Sequence, residues 1–163
     1  MKTQYIECPQ VFRRKTLKDE YAIFLAGGIS NTPDWQTELV KAFEDVDLGQ
    51  VTLYLLNPRR KEFDVKNPNA TIQQIKWEYE YFTLCDSILF WFPCETLCPI
   101  ALYELGKWTG RYKKMFIGVH EKYERRADIE IQTKLEKNIV VNLSLESLIQ
   151  EIKEYLNTNI KRV

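Results

Sequence analysis

The stretch Cys85–Pro93, CDSILFWFP, decides the fold. Between Asp86 and the breaker Pro93, the segment Ser87–Phe92 carries five consecutive apolar residues, so a strand built from it has no polar face. Strands of that kind belong to parallel sheets covered by helices on both sides. Compact apolar runs recur at Tyr21–Ala26 (YAIFLA), Val51–Leu56, Met115–Val119 and Ile139–Asn142, separated by helical patterns. Tyr21–Ala26 ends in Gly27-Gly28, Val51–Leu56 is stopped by Asn57-Pro58, and Pro93 ends the central strand.

Among the helical patterns, Thr32 is expected to cap a helix with Pro33 at its first position and Trp35, Leu39, Val40 and Phe43 on one face. Lys61–Asn69 reads as an exposed loop, with Asn67-Pro68 opening a helix over about Thr71–Leu84. Leu97–Arg111 reads as a helix, and Ser144 caps a last amphipathic one carrying Leu145, Leu148, Ile149, Ile152 and Leu156. The expected fold is an α/β, three-layer flavodoxin-like sandwich of about five parallel strands with helices on both faces and ligands at the carboxyl ends of the strands. One domain is expected over residues 1–163, with residues 1–20 as an N-terminal extension.

Composition narrows the chemistry. The 163 residues carry 23 basic and 23 acidic side chains, so no strong basic field exists to hold a nucleic acid polymer or an anionic membrane. His120 is the one histidine, which leaves no multi-histidine metal site and forces any Ser-His or Cys-His mechanism through that residue. Cys8, Cys85, Cys94 and Cys98 follow a polar start without the pattern of a signal peptide and read as reduced thiols of a cytoplasmic protein. No metal and no cofactor is expected, and carboxylates are the expected workers.

Two acids fall on apolar helical stripes. Glu104 lies four residues from Ile100 and from Trp108 in a stripe of Leu97, Ile100, Ala101, Leu105 and Trp108. Glu78 lies three from Ile75 and four from Phe82 in a stripe of Ile72, Ile75, Tyr79 and Phe82. A buried carboxylate is costly unless paired, hydrogen-bonded or retained for function. A loop cap or an ion pair accounts for either acid alone. Two on the helices flanking one strand suit glycosyl transfer, in which one carboxylate attacks the anomeric carbon while the other manages protons. Gly27-Gly28 fits the same chemistry by letting a sugar or base approach the backbone, although a tight turn also explains it.

The strings IFLAGG at Ile23–Gly28, NPRR at Asn57–Arg60, IKWE at Ile75–Glu78, CDSILFWFP at Cys85–Pro93 and LYELGKW at Leu102–Trp108 together resemble the nucleoside 2-deoxyribosyltransferase-like family over roughly Tyr21–Leu135. The resemblance implies that Glu104 is the nucleophile, that Glu78 assists near the nucleobase where many members have Asp, and that Ala26, Gly27 and Gly28 cradle the substrate. Asp86 matches an acid ahead of the third strand and reads as mainly structural, close enough to the cleft mouth to help. Phe24 stands where members often place a tyrosine that holds the nucleophile, so Tyr103, Tyr79 or a water is expected to orient Glu104. Cys98 stands where an aspartate contacts the sugar, with Glu95-Thr96 as its replacement.

The resemblance further implies a homo-oligomer in which a neighbouring subunit completes each site. The segment His120–Gln132 is the candidate, with Asp128 contributed and Arg125 or Arg126 behind it, against a solvated charged surface as the rival reading. Trp35 is a stacking platform for a base or a core residue; Trp91 reads as core. Arg59 and Arg60 either meet a 5′-phosphate or brace a loop. The expected activity is transfer of 2-deoxyribose between nucleobases through a glycosyl-glutamate, with 2′-deoxynucleosides and free bases as substrates. The alternatives are an N-glycosidase acting on a (deoxy)nucleotide or a nicotinamide dinucleotide, and a nucleotide-binding module without turnover.

Overall fold

A computed structural model of the protein describes residues 3–64 and 66–162. Val65, within the expected loop, and residues 1 and 2 of the expected extension lie outside the described residues. Five strands form one parallel sheet: β1 (Thr3–Glu7), β2 (Glu20–Gly27), β3 (Thr52–Asn57), β4 (Ser87–Phe92) and β5 (Lys114–Val119), in the order β1-β3-β2-β4-β5. Five helices cover it: α1 (Trp35–Ala42), α2 (Pro68–Leu84), α3 (Pro99–Thr109), α4 (Arg126–Lys137) and α5 (Leu145–Asn159). This is the three-layer flavodoxin-like arrangement read from the sequence.

The central strand lies where its sequence places it. Every residue of β4 is buried, because Ile88, Phe90 and Phe92 enter the layer under α2 and α3 while Leu89 and Trp91 enter the layer under α1 and α5. The chain order reverses across β2, which pairs with β3 on one side and β4 on the other, so the ends of β2 and β4 form the crevice of a topological switch point.

The membership of the sheet differs from expectation at both edges. Ile139–Asn142 is not a strand; it touches β5 through one bridge, Gly118 to Asn142, while Ile139 and Val141 pack against the core and Val140 faces solvent. The fifth strand is instead β1, from the expected extension, paired with β3 from Thr3↔Leu53 to Glu7↔Asn57. From its end the chain runs along α2 as a strap. The Cys8 thiol donates to Gln74, the Trp77 indole donates to the Gln10 carbonyl, the Phe12 amide donates to the Tyr81 hydroxyl, and Arg14 pairs with Asp86 beyond the helix end.

Helix boundaries shift for local reasons. Asp34, not Thr32, caps α1, accepting from the Thr37 amide at 3.1 Å, while the Thr32 hydroxyl turns back to the carbonyls of Gly28 and Ile29. Asn67 caps α2 one residue before Pro68, and Cys98 in a left-handed conformation (φ 48°) starts α3 before Pro99. Ser144 caps α5 as expected. No helix among the described residues is long and apolar enough to cross a membrane.

Candidate active site

Glu78 and Glu104 are brought together by α2 and α3, which lie on the same face of the sheet. The stripes that carry them are not those expected. Ile72, Ile75 and Tyr79 on α2, Leu97 ahead of α3 and Ile100 on α3 are exposed. The inward row of α2 is Gln74, Trp77, Glu78, Tyr81 and Phe82, and that of α3 is Ala101, Glu104, Leu105 and Trp108; both acids are half-buried beside fully buried neighbours. The inward placement of Glu78 therefore comes from a row shifted by about one residue around the helix.

Burial pushes the Glu104 carboxyl up to about 8, the negative charge of Glu78 adds to that shift, and Lys107 opposes it. Burial raises Glu78 as well, against the hydrogen bond that the Gln74 amide donates to it at 2.7 Å. The charge of Glu78 thus acts on Glu104, and the carboxyl held protonated near neutrality is that of Glu104. Two carboxyls of unequal proton affinity on neighbouring helices are groups from which nucleophilic attack and proton donation can be built, once the proton leaves Glu104.

Gln74 and Cys8 escaped the sequence reading. The second Gln74 amide hydrogen goes to the Pro58 carbonyl at 2.7 Å, and its oxygen accepts from the Cys8 thiol at 3.1 Å. The four-residue spacing from Gln74 to Glu78 is a sequence signal for their contact. Cys8 has no such signal, because its place depends on the pairing of β1 with β3.

Ala26, Gly27 and Gly28 lie at the end of β2, where the absence of side chains serves close packing. A Cβ on Gly27, whose φ is +145°, would come within 2.1 Å of the Trp91 carbonyl oxygen, and one on Gly28 within 2.7 Å of the Cys98 sulfur. Ala26 is buried in the layer under α2 and α3. Phe24 is buried in that layer too, its ring stacked on Phe82 with centroids 4.0 Å apart. Tyr79 and Tyr103 are exposed, and the Lys107 ammonium sits 4.6 Å from the Tyr79 ring centroid. None of the described residues donates a hydrogen bond to Glu104; its surroundings act through burial and the charges of Glu78 and Lys107.

Three expected residues stand apart. Trp35 is buried on the opposite face of the sheet from Glu78 and Glu104, with its indole donating to the Gly28 carbonyl at 2.8 Å, so it supports the glycine turn from beneath and lines a groove on that side. Asp86 is at the amino end of β4, away from the switch-point crevice; it accepts from Arg14 and from the Ala22 amide at 2.7 Å and clamps β2 to β4. Asp128 lies on α4, half-exposed, paired with Arg125 at 3.0 Å in a groove between α3 and α4. Cys98 packs against Gly28, while Glu95 and His120 line a separate groove of about 360 Å³ on the α1 and α5 side.

The two arginines after β3 behave differently. Arg59 is a brace: it donates to Gln36, to the Thr32 hydroxyl and to the Pro33 carbonyl, with Asp34 at 3.5 Å. Arg60 donates to Gln73 through Nη2 and lies over the Phe63 ring, while its Nε and Nη1 are buried without a hydrogen-bond partner.

No curated protein matches the chain. The family model described as nucleoside 2-deoxyribosyltransferase like matches residues 20–123, a span that holds β2 through β5, both carboxylates and the switch-point crevice. On that match across more than half its length, the chain belongs to the nucleoside 2-deoxyribosyltransferase-like family.

Proposed function

We propose that the protein is a nucleoside 2-deoxyribosyltransferase that moves 2-deoxyribose between nucleobases by double displacement. The observation that carries the reading is the pair of inward carboxyls, Glu78 on α2 and Glu104 on α3, close enough for the charge of Glu78 to raise Glu104. In the first step a Glu104 oxygen forms a bond to C1′ as the glycosidic C–N bond breaks, and the bonding pair leaves on the base. The proton held by Glu78 passes to that base. In the second step a new base attacks C1′, the ester to Glu104 breaks, and Glu78 takes up the proton that the incoming base loses, so configuration at C1′ is retained.

The cycle requires the proton that burial holds on Glu104 to pass to Glu78. The state with the proton on Glu78 is the productive one, since it leaves Glu104 ionised, and positive charge developing on the sugar favours it. Asp128 of a neighbouring copy is proposed to complete the site; family membership and the exposure of Asp128 support this.

The test is base exchange. Deoxyguanosine incubated with free hypoxanthine gives deoxyinosine if the reading holds, and Glu104→Ala abolishes that product while Glu80→Gln, on the exposed side of α2, retains it. Exchange that survives in Glu104→Ala overturns the mechanism. Free deoxyribose in place of deoxyinosine assigns the site to hydrolysis, and absence of turnover assigns it to binding. Mixing inactive Glu104→Ala with inactive Asp128→Ala restores part of the activity if sites are shared between copies; inactive mixtures reject the shared site.

A further inference from the structure

Between Glu78 and the loop after β3, the polar side chains sort into those already satisfied and one that is not. Both amide hydrogens of Gln74 are spent on Glu78 and Pro58, and its oxygen is spent on Cys8. Arg59 is spent on Gln36, Thr32 and Pro33. Arg60 belongs to the same cluster: Gln73 holds its Nη2 at 3.0 Å, Gln74 holds Pro58 two residues before it, and its charge acts on the Cys8 thiol together with that of Glu78. Its Nε and Nη1 are withdrawn from water with no acceptor among the described residues. Buried guanidinium donors left unpaired are costly, and a bound acceptor removes the cost.

A guanidinium can only donate, and the protonated Glu78 carboxyl also donates to the base. A base that satisfies both must present two neighbouring acceptors. The N7 and O6 edge of a 6-oxopurine does so, whereas adenine sets an N6 amino donor beside its N7. We propose that Arg60 reads the O6 acceptor of the leaving base, making 6-oxopurine 2′-deoxynucleosides the preferred substrates of this site. The inference rests on the transferase reading for the identity of the ligand, and on the unpaired donors of Arg60 for the choice among bases.

The experiment compares deoxyinosine with deoxyadenosine as donors, using the full chain and the variants Arg60→Met and Arg60→Lys. Wild type favours deoxyinosine in kcat/KM by about ten- to a hundredfold, the range for a hydrogen bond to a charged group. Arg60→Met loses that preference by slowing deoxyinosine alone, and Arg60→Lys restores part of it. A purely structural role would slow both donors together and overturns the proposal, as does a wild type that uses both donors equally. Calorimetry of hypoxanthine and adenine on Glu104→Ala separates this inference from the transferase reading. Tighter hypoxanthine binding that Arg60→Met removes supports base reading even where no transfer occurs, and equal binding overturns it. Deoxyinosine 5′-monophosphate is the remaining arm: an Arg60→Met loss confined to the phosphorylated donor assigns the arginine to phosphate and overturns base reading.

Discussion

Gln74 donates a 2.7 Å hydrogen bond to Glu78 one helical turn further along α2, and its own orientation is held by Pro58 on one side and Cys8 on the other. The bond favours the ionised form of Glu78, opposing the burial that raises it. Removing it in Gln74→Leu therefore raises Glu78 further. If Glu78 is the acid of the first step, the basic limb of the pH–rate profile moves to higher pH in the variant, and kcat falls because one carboxyl oxygen is no longer held. A limb that stays in place would mean that Glu78 is not the group titrating there. Stopped-time assays of base exchange from pH 5 to about 9 resolve the shift.

Asp86 gives the opposite pattern. Its carboxylate is partly buried and shared between Arg14 and the Ala22 amide at the amino end of β4, remote from the crevice. Asp86→Asn is expected to lower stability by about 1–3 kcal/mol through loss of a charge-assisted pair. The urea midpoint falls, while kcat per folded molecule is unchanged. A fall in kcat at constant midpoint would return Asp86 to the site.

The division between what the sequence disclosed and what it hid follows from where each interaction is made. β4 was legible because a strand buried on both faces must be apolar at every position. β1 was not, because TQYIE has neither an apolar run nor a regular alternation, lies at a sheet edge and is stabilised by β3, some fifty residues away. Ile139–Asn142 carries strand-like residues, but its apolar side chains fill the core margin without a ladder. Glu104 and Glu78 could be placed inward because helical periodicity is local, although the neighbours chosen to define the inward row were partly the exposed ones. Trp35 was ambiguous because an indole after a glycine turn serves stacking and bracing equally well until its N–H partner is seen. Arg59 and Arg60 are adjacent in sequence, and only the loop geometry separates the brace from the unpaired donor.

The thiols offer a check on the strap along α2. Burial pushes Cys8 up to about 12 and Cys85 and Cys98 up to about 11, while Cys94 is exposed. Thiolate is the reactive form, so at pH 8 the folded protein exposes one reactive cysteine of its four to Ellman's reagent, and all four react in urea. Rapid modification of a second thiol in the native state would show that the strap lifts from α2, and Cys8→Ala would identify which residue it is.

The high pKa of Glu104 makes a prediction about stability as well as catalysis. Its folded value of about 8 lies above the ordinary 4.5, so between those limits the folded state binds more proton than the unfolded state. Stability then falls as pH rises through that window, with no penalty below it and the full penalty above it. Glu104→Gln keeps the side-chain shape and removes the charge, and with it the repulsion felt by Glu78. The variant should therefore melt at the same temperature as wild type near pH 4.5 and higher near pH 8, by roughly 2–4 °C for each kcal/mol relieved. Lys107 is left without the carboxylate that it faces, but it is partly exposed and retains water, so its loss is the smaller effect. A wild-type curve as flat as that of Glu104→Gln across the window would show that Glu104 is ionised at no cost, and the paired-carboxyl account of this site would fail with it.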